Sequence, residues 1–153
     1  YFNLEYLGPL PIIVQGCVGI QTDNKNFKNF VLIKFWRDPE VPESSQGEPT
    51  LESGHQLLET IIRCWSPHLA TWTTPAWLRA VPKREAYTPS LGWKTYFSEP
   101  AACELISDLG KPLHQGILLE TSSDIHDVTP EKIVALAQEL SNRGVESVLY
   151  CGT

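Results

Sequence analysis

At 153 residues the chain is the size of one ordinary domain, long enough to bury a core without metal or disulfide staples. Its 42% hydrophobic and 20% charged residues exclude a disordered tail, and no apolar run approaches the length of a membrane-spanning helix. A formal net charge of −6 disfavours nucleic-acid binding, which needs bases where it grips phosphate. In chain order, three apolar runs predict strands: Pro11 to Ile20, Asn29 to Trp36 and Gly116 to Thr121. The second, N-F-V-L-I-K-F-W, is nearly continuous and is expected to be a central strand. Weaker strand patterns cover Trp77 to Val81, Trp93 to Phe97 and Ser147 to Cys151.

Three helical patterns lie between the strands. In the first, from about Thr50 to just before Pro67, Leu57, Leu58, Ile61, Ile62 and Trp65 recur at helical spacing. The second follows Ser98 as N-cap, with Glu99 and Pro100 in its first turn; Ala102, Leu105, Ile106 and Leu109 form its apolar face, and Gly110 and Pro112 end it. The third is the clearest, with Thr129 as cap, Pro130 at the first position, Glu131 at the positive helix end and Gly144 as the stop. Its core face is Ile133, Val134, Leu136, Ala137 and Leu140. The order predicts an α+β single domain over residues 1–153: a mixed or mainly antiparallel sheet with about three helices, gathered on one face. A Pro/Glu/Ser-rich loop from Asp38 to Pro49 is long enough to be functional, and neither side of it is expected to bury enough to stand alone.

Cys17, Cys64, Cys103 and Cys151 are widely spaced and form no C-x-x-C, which favours reduced, buried thiols over zinc or disulfides. The first ten residues hold Glu5 and no Lys or Arg, against a retained signal peptide. The charge is uneven. Asp38, Glu40, Glu43, Glu48, Glu52 and Glu59 fall in one window without a Lys or Arg, while the rest of the chain is balanced. Glu120, Asp124 and Asp127 form a second acidic stretch. Acidic surfaces attract basic partners, although a single charge run is more often a solubilising face.

Signals for chemistry are sparse. His55, His68, His114 and His126 show no metal-ligand spacing, and His126 between Asp124 and Asp127 is at best a weak cation site. Neither a G-x-S-x-G nucleophile turn nor a phosphate-cradling glycine loop is present. Asp38, Glu40 and Glu120 stand near strand ends as metal-dependent nucleases require, yet no Lys follows at the needed spacing, and solvated loop acids are the better reading. Arg79, Lys83 and Arg84 lie near Trp72, Trp77 and Trp93, a mix that can hold single strands, but three charges on an acidic chain read better as a solvated turn beside core or edge tryptophans.

One stretch is more specific. Trp65-Ser66-Pro67-His68-Leu69-Ala70 gives W-x-P-x-x-A at the end of the first helix, and Gly92 to Ser98 gives G-W-K-T-Y-F-S before the second. G-I-L-L-E-T, an acidic turn ending at Asp127 and the helix from Pro130 follow. This succession resembles the immunity protein 52 family of bacterial polymorphic-toxin and type VI secretion systems, over residues 29–143. A related group of immunity proteins with a G-W-x-x-Y signature is the next match. The resemblance implies an antitoxin-type, non-catalytic inhibitor used in interbacterial competition. It would bind a cognate secreted toxin, a nuclease with a restriction-endonuclease fold, in the cytoplasm. It implies no cofactor, metal, membrane or nucleic-acid partner, and it makes Trp65, Trp93, Tyr96 and Phe97 structural. From charge and aromatic content, the toxin-binding set is expected to be Asp38, Glu40, Glu43, Glu48, Glu52, Glu120, Asp124 and Asp127, with Trp72 and Trp77 as anchors. The alternatives are a protein-binding or adaptor domain without a toxin partner, and a small enzyme with a dispersed active site.

Overall fold

A computed structural model describes residues 2–6, 12–17, 30–35, 51–81 and 89–150. The chain forms two compact units, Tyr1–Thr50 and Leu51–Thr153. The fold is α+β, and every described strand pair is antiparallel.

In the first unit, β1 (Phe2–Tyr6), β2 (Ile12–Cys17) and β3 (Phe30–Phe35) form a meander in the order β1-β2-β3. Two of the predicted strands are thus present, but β3 is an outer strand of the described sheet and β2 the central one. The apolar run set a strand without setting its neighbours. The register pairs Leu4 with Val14 and Val14 with Ile33, so strand alternation places these positions on one face. The loop from Asp38 to Pro49 lies outside the described residues.

The second unit begins with α1 (Leu51–Trp65), followed by β4 (Leu69–Trp72), α2 (Pro75–Ala80), β5 (Lys94–Phe97), α3 (Pro100–Ile106), β6 (Lys111–Leu113), β7 (Gly116–Glu120), α4 (Pro130–Asn142) and α5 (Val145–Tyr150). The four strands form one sheet in the order β4-β5-β7-β6. Two weak strand expectations are overturned. Trp77 to Val81 falls in and just after helix α2, because Thr74 caps it by accepting from the Trp77 backbone N–H and Pro75 fits the first turn. Ser147 to Cys151 falls largely in α5, since Gly144 (φ +76°) ends α4 and lets a new helix start at once. Thr129 caps α4 as expected, with its hydroxyl accepting from Lys132 N. Ser98 does not cap α3. Its hydroxyl donates to Pro67 O, and Glu99 takes the cap position without a side-chain bond.

Alternation along the strands sends Phe97, Ile117 and Leu119 to one sheet face and Tyr96 and Leu118 to the other. On the first face, Phe97, Ile117 and Leu119 join Ala102 and Ile106 of α3, Ile133 and Leu140 of α4 and Val145 of α5 in the main core. On the second, Tyr96 and Leu118 meet Leu58 and Ile62 of α1. The helices therefore cover both faces, not one. Three close approaches set this packing. A Cβ on Gly116 would stand 2.0 Å from Phe97 O, one on Gly92 2.0 Å from Trp72 O, and one on Gly54 3.1 Å from the Trp72 ring. At the edge of the main core, Arg143 donates to Leu105 O, Asp108 and Glu139, which pins the end of α4 to α3.

Candidate functional site

Four of the expected toxin-binding acids, Asp38, Glu40, Glu43 and Glu48, lie outside the described residues. Glu52 is exposed in the first turn of α1, where it accepts from Gln56. Asp124 caps a single 3₁₀ turn, Ile125–Asp127, by accepting from His126 N at 2.8 Å, so its carboxylate is partly spent on its own backbone. Asp127 is exposed at the end of that turn. Among the described residues no three His, Cys, Asp or Glu side chains gather as a metal-holding group.

Glu120 is placed differently from the rest. Its Oε1 accepts from Lys94 Nζ at 2.7 Å and its Oε2 from Lys111 Nζ at 2.8 Å, so both oxygens serve the fold. The β5–β7 register puts Lys94 directly across from Glu120, and β6 brings Lys111 alongside. The Lys94 side chain is 8% exposed, lies 4.6 Å from the centre of the Trp93 ring, and also reaches His55 Nδ1 at 3.2 Å. His55 Nε2 in turn sits 3.3 Å from Glu59 Oε1, one helical turn on. A chain of five polar side chains therefore runs from α1 across β5 and β7 to β6. Burial works to raise the Glu120 pKa, but hydrogen bonds from Lys111 and Lys94 outweigh it and hold the carboxyl below its ordinary value. No sequence signal marked this group, because its members come from four elements. Only the strand register brings Lys94 to Glu120.

The expected aromatic anchors are half-buried. Trp72 packs against both core clusters with Gly54 beneath its ring, and Trp77 packs on the main core. Of the four aromatics that the resemblance makes structural, Trp93, Tyr96 and Phe97 are buried, and Trp93 Nε1 donates to Ser122 O. Trp65 is 52% exposed at the end of α1, so it does not join that core. It falls on the last turn of α1, and Ser66 (φ 44°) follows before β4 begins at Leu69.

Cys64 and Cys103 are free thiols. Cys64 is exposed and not buried as expected, because it lies on the α1 surface turned away from Leu58 and Ile62. Cys103 is half-buried and donates to Phe97 O, and burial pushes its thiol pKa up. Arg79 is exposed on α2, and Lys83 and Arg84 lie outside the described residues. No described helix is long and apolar enough to cross a membrane. In comparisons with known proteins, no family model, curated protein or solved structure matches this chain.

Proposed function

We propose that this chain is an antitoxin-type immunity protein, a non-catalytic partner that neutralises a cognate bacterial toxin of the nuclease class. The observation that carries the reading is the charge distribution: six acids and no Lys or Arg lie between Asp38 and Glu59, in a chain that is otherwise balanced. A nuclease is basic where it grips phosphate, and an acidic segment seated in that groove denies it the substrate. The G-W-K-T-Y-F-S block and the elements around it support the immunity-protein resemblance over other protein-binding roles.

The contact residues narrow to two separate candidate groups, Asp38, Glu40, Glu43 and Glu48 in the first unit and Glu52, Asp124 and Asp127 in the second. Glu120 drops out, since both of its oxygens are held by lysines. Trp65 is the aromatic to add, because a half-exposed tryptophan supplies the apolar anchor that acids alone do not. The inhibitor would act in the cytoplasm of the producing cell.

Co-expression with the toxin encoded beside it tests the proposal: growth rescue and co-elution of the pair are expected. Replacing Glu40, Glu43 and Glu48 with Lys should slow association about tenfold at low salt and flatten its salt dependence. Rescue without that change would move the contact off this segment; no rescue with both proteins soluble would end the immunity reading.

A further inference from the structure

We draw no further inference here: the strongest candidate, the apolar flank of helix α1 where Leu57, Ile61, Cys64 and the half-exposed Trp65 join neither described core cluster, carries nothing, because the acids of that helix, Glu52 and Glu59, lie around the helix from it and nothing in the structure shows what covers it.

Discussion

The two faces of the four-stranded sheet are built on different terms. One is apolar: among the described residues, eleven buried side chains from β5, β7, the loops and the helices α3, α4 and α5 interlock in a single cluster. The other holds a cluster of four buried apolar residues among those described, two of them from α1, and closes at one end on the Lys94–Glu120–Lys111 ion group and His55. The first face has its strength in volume, the second in a few directional contacts. Point changes should therefore be costly in different ways on the two sides.

The sharpest test of that contrast is a matched pair of truncations. Phe97→Ala, in the larger core, should destabilise by about 4 kcal/mol, while Leu58→Ala, in the smaller of the two described clusters, should cost about 2–3 kcal/mol. Equal losses in urea unfolding would break the distinction. Next in size, Lys94→Met should cost about 3 kcal/mol, at the low end for a broken buried pair because Lys111 still satisfies Glu120. Glu120→Gln sharpens the pH side. The Glu120 carboxyl is held below its ordinary value, so its contribution is present above the unfolded carboxyl value, about 4.3, and fades as pH falls through the lower folded one. The wild type should lose stability on acidification below about pH 4.5, and the Gln protein should lose less. Asp108, held low by its hydrogen bonds from Arg143, keeps some acid loss in both proteins. The smallest expected effect is a gain. His114 holds φ 51° in the β6–β7 hairpin, a conformation that glycine adopts freely, so His114→Gly should stabilise by about 0.5 kcal/mol in thermal melts after the entropy of the added glycine.

What was legible in the sequence was whatever local chemistry decides. Thr129-Pro130 and Gly144 mark both ends of α4, because a cap, a ring-fixed first turn and a left-handed stop are all local events. The apolar runs gave β2, β3 and β7, and G-W-K-T-Y-F-S gave β5. Helices α2 and α5 were misread as strands. Each is only six residues long, too short for a helical period to show against Trp, Leu, Val and Tyr, which also suit strands. Thr74-Pro75 was the overlooked signal for α2. The strands β1, β4 and β6 were missed, since three to five residues with a Pro or few β-branched side chains carry little pattern. The candidate acids were legible as a charge run, but that Glu120 belongs to the fold was not. Its partners lie 26 and 9 positions away and meet it only through sheet register.

The glycine under Trp72 has one more consequence. With no side chain at Gly54, the indole packs closely on α1 at that position, so its surroundings depend on where α1 is. Trp93 is buried in the main core, Trp77 packs against that core and Trp65 already faces water, so among the described tryptophans Trp72 is the one that lies against α1. With the other four tryptophans replaced by Phe, Trp72 becomes a native optical gauge. A shift of its emission to the red, recorded without any attached dye, would read out the opening of one seam in a protein whose remaining core stays closed.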